Sequence, residues 1–368
     1  MTQCSTQLRM GSAWFLCVHV LIGAIAVPCS AQSTDVKNAG DRESAFDVSV
    51  SVEAPVQVFV RQEISLSGQQ SKWNPTPVLK RSGRIVQWDQ ETLVIRVDNS
   101  KDAREPLSLR IDSRQIERIE PNWGNQQVRQ VVELFSQQKY REFIQGLREL
   151  ELSEIPDWQQ RLLLDWIVQA VAEVNGPLAA APYFLKLSAN APDLLFSNMP
   201  LCWTVQEPSP DLIRAAEGWM QSDDEAAQLL GASWLAQTAQ SEQSREVLER
   251  LQGSKRSVIS QLATAQAWRQ VAPADTMECL PKWLVFRDKM LLPLGLGPTE
   301  FMLDRLSRIG QFNLALGQAF WIATTQRDWP GRAGKALDRA VELLKGQGRT
   351  EEAQKLIQWR DGQRELDR

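Results

Sequence analysis

The sequence predicts a multidomain α+β chain, with a small antiparallel β-barrel-like domain followed by an α-helical repeat (α-solenoid) domain. Three observations predict it. Between residues 46 and 121 apolar side chains alternate with a period of two, in short runs broken by turn residues. After Trp123 the apolar period becomes that of a helix and stays so to the C-terminus. Short polar breaks, "APD", "PSPD", "QSDD", "QGS" and "APAD", separate the helical stretches, with no strand pattern between them. That alternation points to stacked helical hairpins.

Residues 1–31 have the layout of a secretory signal. A polar lead with one basic residue, Arg9, precedes the apolar run Ala13–Val27; Pro28 and the small-residue stretch "CSA" follow. The run is 15 residues long, short of the roughly 20 that a membrane span needs. Cleavage after Ala31 leaves 337 of the 368 residues and implies an exported protein of the periplasm or cell envelope. Two alternatives stand beside it. The segment is an uncleaved N-terminal anchor, or it is a lipoprotein signal acylated at Cys29. The tetrapeptide "AVPC" resembles a bacterial lipobox, with alanine for the usual leucine and proline before the cysteine.

Cleavage removes His19, the chain's one histidine, together with Cys4, Cys17 and Cys29. Histidine is the side chain whose unperturbed pKa lies near neutrality and the commonest metal ligand. Without it Ser-His-Asp and Cys-His catalysis and His-containing zinc sites are excluded. Cys202 and Cys279 remain, and in an oxidising compartment they form a candidate disulfide, against the alternative of two buried thiols. The formal net charge of −4 becomes −5 once Arg9 leaves, and no long single-sign block occurs. A nucleic-acid partner, which needs a basic patch, is not expected. Past the leader no apolar run is long enough to span a bilayer.

Residues 32–45, polar and aperiodic, read as a flexible leader. The domain at 46–121 opens with Val48, Val50 and Val52, continued by Val56, Val58 and Val60. In "SGRIVQWDQETLVIRVD" Val86 and Trp88 are expected on one face, and Leu93, Ile95 and Val97 on one face of the next strand, with "DQE" as a tight hairpin loop. Leu107, Leu109, Ile111, Ile116 and Ile119 follow. This layout is similar to Sm-like and SH3-like barrels, in which G-x-[IV] opens a bent hairpin and a short I-x-x-I strand closes the sheet. Residues 80–118 carry nine Lys/Arg against seven Asp/Glu, too even a balance for an RNA-binding barrel, so a structural or protein-binding role is expected.

The helical domain is expected over 122–368. Trp158, Leu162, Trp166 and Ala170 recur every fourth position, and Asn175, Gly176 and Pro177 end that helix. Three places share a leucine, a turn residue, an aromatic or threonine, and a helix-core residue: Leu134/Gln138/Tyr140/Phe143, Leu306/Gly310/Phe312/Ala315 and Leu344/Gly348/Thr350/Ala353. Trp234 and Trp268 are 34 residues apart. These features resemble the inter-helix turn and the period of tetratricopeptide repeats. The stretch "DDEAAQLLGASWLAQTAQSEQSREVLERL" passes equally as HEAT-like, so the repeat family stays open. Either resemblance implies an extended helical surface for partners.

Of the 14 tryptophans, Trp14 alone falls in the leader. Trp158, Trp166, Trp234, Trp268 and Trp321 lie on apolar helix faces and are expected to pack rather than to bind sugar. With histidine gone, a carboxylate pair is the remaining catalytic option; Asp157 with Asp165, or Asp223 with Asp224, could be nominated, but acids also favour helix starts. "GRAGKA" (331–336) lacks a P-loop's first glycine, where Trp329 stands, and its Ser/Thr, where Ala336 stands; "GLGPTE" is a lone G-x-G. No catalytic, metal or cofactor residue is assigned. The expectation is a non-catalytic envelope adaptor that binds proteins, with a carbohydrate binder or a histidine-free glycosidase as the alternative.

Overall fold

The computed structural model describes residues 55–61, 78–97, 107–326 and 330–366. The signal segment, the flexible leader, Cys29 and the valines at 48, 50 and 52 lie outside the described residues. Five strands come first: β1 (Val56–Arg61), β2 (Val78–Trp88), β3 (Thr92–Val97), β4 (Leu107–Asp112) and β5 (Ile116–Glu120). They form one antiparallel sheet in the order β4-β3-β2-β1-β5, with β4 and β5 at its edges. The sheet is bent but not closed. Its bend lies in β2, whose first half pairs with β1 and whose second half pairs with β3. Gly83 sits at the changeover, where a Cβ would come within 2.6 Å of the Arg96 carbonyl oxygen.

The β2–β3 loop is the expected "DQE". Asp89 Oδ1 accepts from the backbone N–H groups of Glu91 (3.0 Å) and Thr92 (2.8 Å), which fixes a three-residue turn. One inward position differs from expectation. The register shifts between Ile85 and Gln87, so that Ile85 and Trp88 are buried while Val86 is 56% exposed. A bulge breaks the two-residue alternation, and one inserted residue turns Val86 outward. Leu93 and Ile95 are fully buried beneath it, as the alternation requires.

Thirteen α-helices follow among the described residues. They are α1 (Gln126–Ser136), α2 (Tyr140–Arg148), α3 (Asp157–Asn175), α4 (Pro177–Ser188), α5 (Pro210–Met220), α6 (Glu225–Leu235), α7 (Ser241–Gln252), α8 (Ser257–Ala267), α9 (Thr276–Arg287), α10 (Leu296–Arg308), α11 (Phe312–Thr325), α12 (Pro330–Gly346) and α13 (Thr350–Leu366). The three shared sequence patterns become one turn. Gln138, Gly310 and Gly348 all have positive φ (59°, 76° and 73°). The next residue's N–H reaches back to the leucine carbonyl in each case: Lys139 to Leu134 (2.9 Å), Gln311 to Leu306 (2.8 Å) and Arg349 to Leu344 (3.0 Å). This left-handed C-cap ends α1, α10 and α12, and Phe143, Ala315 and Ala353 are then fully buried where the following helix packs back.

Arginines of later elements satisfy the carbonyls that earlier elements leave open. Arg256 donates to Ser188 O (3.0 Å) and Ala191 O (2.6 Å), Arg269 to Ser233 O (2.6 Å), and Arg305 to Val271 O (3.1 Å). Each guanidinium meets the negative end of a helix or short turn, the orientation that the backbone dipole favours.

The helical array does not run out straight, and this corrects the expected extended surface. The sheet's buried residues are continuous with those of the first helices. Arg61 of β1 donates to the carbonyls of Lys289 (3.2 Å) and Met290 (2.6 Å), between α9 and α10. Glu117 of β5 pairs with Arg61 and accepts from the Leu292 N–H at 2.7 Å. Farther on, α12 returns to α3: Lys335 Nζ lies 2.7 and 2.8 Å from the two Glu173 oxygens. The array curls until its late helices meet its early ones.

Candidate functional site

The curl encloses polar side chains that are far apart in sequence. On α3, Asp165, Gln169 and Glu173 follow at four-residue spacing and so share one face. On α12, Arg332, Lys335 and Arg339 follow at three- and four-residue spacing. Gln169 and Glu173 of the first stripe and all three residues of the second border a central cavity of about 340 Å³, completed by Asn198, Trp203, Gly297 and Glu300 among others, while Asp165 lines a neighbouring cavity. Arg332 also lines two neighbouring cavities, of about 260 and 320 Å³, between the helices and the sheet.

A relay crosses the centre. Asn198 donates its amide N–H to Asp165 Oδ2 (2.7 Å), and its carbonyl oxygen accepts from Arg332. Asp165 is buried and its Oδ1 has no hydrogen-bond partner. Burial therefore pushes its carboxyl up to about 7, against the smaller opposing effects of Asn198 and Arg332. Burial likewise raises the Glu300 carboxyl, although Arg332 and Lys335 pull it down. Desolvation lowers the Arg332 guanidinium, with Glu300 and Asp165 acting the other way.

Trp203 is placed by polar pinning of the irregular segment before it. Trp234 Nε1 donates to Pro200 O (2.9 Å), Cys202 N–H donates to Ser233 Oγ (2.8 Å), and Gln266 Nε2 donates to Cys202 O (3.1 Å). The first turn of α10 then closes on the indole. A Cβ on Gly297 would fall 2.1 Å from Trp203 Cε2 and Nε1, so glycine is required for this approach. The lone G-x-G of the sequence thus serves an aromatic wall and not a phosphate.

The residues nominated from sequence separate. Asp165 is in the site. Asp157 is exposed in the first turn of α3, Asp223 is exposed, and Asp224 caps α6 by accepting from the Ala226 N–H at 2.9 Å. Neither nominated pair forms one site; the two helix-start acids lie where helix capping puts them. Cys202 and Cys279 are free thiols: Cys202 is buried and in contact with Arg269 (Sγ to Nη2, 3.2 Å), while Cys279 is half-buried against the C-terminal core. Trp158, Trp234 and Trp268 are buried, and Trp166 and Trp321 are half-buried against the core. Sequence reasoning missed Asn198, Trp203, Glu300, Arg332 and Lys335; the basic stripe in "GRAGKALDR" was the one local signal.

Among the described residues no group of three His, Cys, Asp or Glu is arranged to hold a metal ion, and no helix is long and apolar enough to cross a membrane. Fold and site together define a chain of antiparallel sheet plus curled helical hairpins around a charged cavity. Compared with protein families, with curated proteins and with solved structures, the chain matches none.

Proposed function

We propose that this protein is an exported, non-catalytic adaptor that binds other envelope proteins through its helical hairpins. One observation carries the reading. Of the twelve large apolar side chains exposed among the described residues, six lie on three alternate helices: Met277 and Val285 on α9, Phe312, Leu314 and Phe320 on α11, and Trp359 on α13. None of them lines the cavities. Exposed apolar side chains gathered into a contiguous patch mark interaction surfaces, and we take these six as the members of such a patch. The export half of the proposal rests on the leader sequence. We assign the hairpins to a tetratricopeptide-like repeat, supported by the one turn geometry at Gln138, Gly310 and Gly348. An Sm/SH3-like origin for the sheet is supported by the bend at Gly83 and by the short strand of Ile116 and Ile119 against β1.

In-cell crosslinking and affinity capture of the tagged chain test the proposal. A stoichiometric protein partner, lost in a Phe312→Asp/Phe320→Asp double variant that keeps its melting temperature, is expected. Capture that both substitutions leave unchanged would overturn the assignment of the surface. A second reading, an envelope carbohydrate binder, is favoured by Trp203 and Glu300 bordering one cavity.

A further inference from the structure

The central cavity has a volume at the lower end of the roughly 300–1,000 Å³ found for small-ligand sites. Its hydrogen-bond balance is uneven. The cations on its wall already have partners: Lys335 holds both oxygens of Glu173, Arg332 donates to Asn198, and Arg339 reaches Glu342 at 2.8 Å. The acceptors are less well matched. Glu300, half-buried, is drawn to Arg332 and Lys335 by charge, while the Gln169 side-chain oxygen, on a residue only 8% exposed, has no hydrogen-bond partner. Unpartnered buried acceptors are costly, and a ligand that brings hydroxyl donors relieves that cost.

Charge narrows the ligand further. The wall carries Arg332, Lys335 and Arg339 against Glu173 and Glu300, so a cationic ligand meets a net positive surface. An anionic ligand would have to displace existing partners and approach Glu300. What remains is a neutral ring rich in hydroxyls. The half-buried indole of Trp203, its five-membered ring held by Gly297, offers the aromatic surface on which such a ring stacks.

We propose that this cavity binds one neutral saccharide unit, laid on the Trp203 indole with its hydroxyls donated to Glu300 and Gln169. The inference rests on the carbohydrate-binding reading and names its site. It assigns no cleavage of the sugar.

Titration calorimetry of the full chain with D-glucose, D-galactose, N-acetyl-D-glucosamine and their β-1,4-linked dimers tests it, with ethanolamine as a cationic comparison. Saturable binding of one of the sugars is expected, weakened at least tenfold in Glu300→Gln and in Trp203→Leu. The near-isosteric Glu300→Gln keeps the test valid where Trp203→Leu alters folding. Sugar binding that neither variant weakens would overturn this site while leaving the carbohydrate reading in place. Absence of binding to every sugar would overturn both, and saturable binding of ethanolamine alone would show a cation site instead.

Discussion

Replacing Asp165 by asparagine should stabilise the protein above neutral pH and change little near pH 4. The carboxyl is buried, accepts one hydrogen bond from Asn198, and titrates at about 7 in the fold against 3.8 as an ordinary aspartate. Because the folded value is the higher one, the folded state holds a proton that the unfolded chain has lost. Stability from this group is therefore intact below about pH 4, falls as pH rises, and is lost once pH passes the folded value near 7. At about 1.36 kcal/mol per pH unit, the difference reaches about 4 kcal/mol as an upper bound. Asparagine imitates the protonated acid: its carbonyl still accepts from Asn198, and its amide replaces the unpartnered oxygen. Urea unfolding of both proteins at pH 4, 5.5, 7 and 8.5 reads the effect. The two stability curves should coincide at the acid end and diverge towards pH 8.5, with the variant higher. Parallel curves would refute a buried neutral acid at position 165.

Other parts of the structure make equally definite demands. Arg61→Ala should cost about 3–5 kcal/mol, because it strands the buried Glu117 carboxylate and frees the Lys289 and Met290 carbonyls; denaturant unfolding checks this, and a loss below 1 kcal/mol would show that the sheet docks without it. Trp234→Phe removes the donor from the buried Pro200 carbonyl, costing about 1–3 kcal/mol beyond lost packing, and should loosen Trp203 in a fluorescence-quenching assay. Gln138 has φ of 59°, a conformation that side chains resist. Gln138→Gly should raise stability by up to about 1 kcal/mol, read as a melting-temperature increase, whereas Gly310→Gln at the equivalent turn should lower it.

The turn motifs were legible in sequence because each is complete within ten residues. Leucine, turn residue and helix-core residue fix a left-handed C-cap whatever surrounds it, and Gln138 shows that even a non-glycine obeys the pattern. The packing role of Trp158, Trp234 and Trp268 was legible for the same reason, through spacing along a single helix. Val86 was misplaced because a bulge is one inserted residue, and alternation before and after it looks equally regular. The cavity was out of reach. Asn198 and Arg332 are 134 positions apart and Glu173 and Lys335 are 162 apart, and no local pattern states that a helical array will curl back on itself. Asp165 was nominated only as half of a pair with Asp157, and nothing in that spacing says that Asn198 will hydrogen-bond it while Arg332 holds Asn198 from the other side.

The return of α12 onto α3 has a consequence for how the chain folds. Stacked hairpins that touch only their neighbours can fold in pieces from either end. Here the contacts that complete the interior join residues 61 to 290, 173 to 335 and 198 to 332, and contacts of such separation form late because the loop entropy comes first. A chain emerging N-terminus first therefore holds α3 uncovered until almost all of its length is available. Pulse-labelled hydrogen exchange should find the centre of α3 gaining protection together with α12, after the α1–α2 hairpin. While it waits, Asp165, Gln169 and Glu173 keep that face wetted, so the polar stripe on which α12 later closes also shields the half-made protein from self-association.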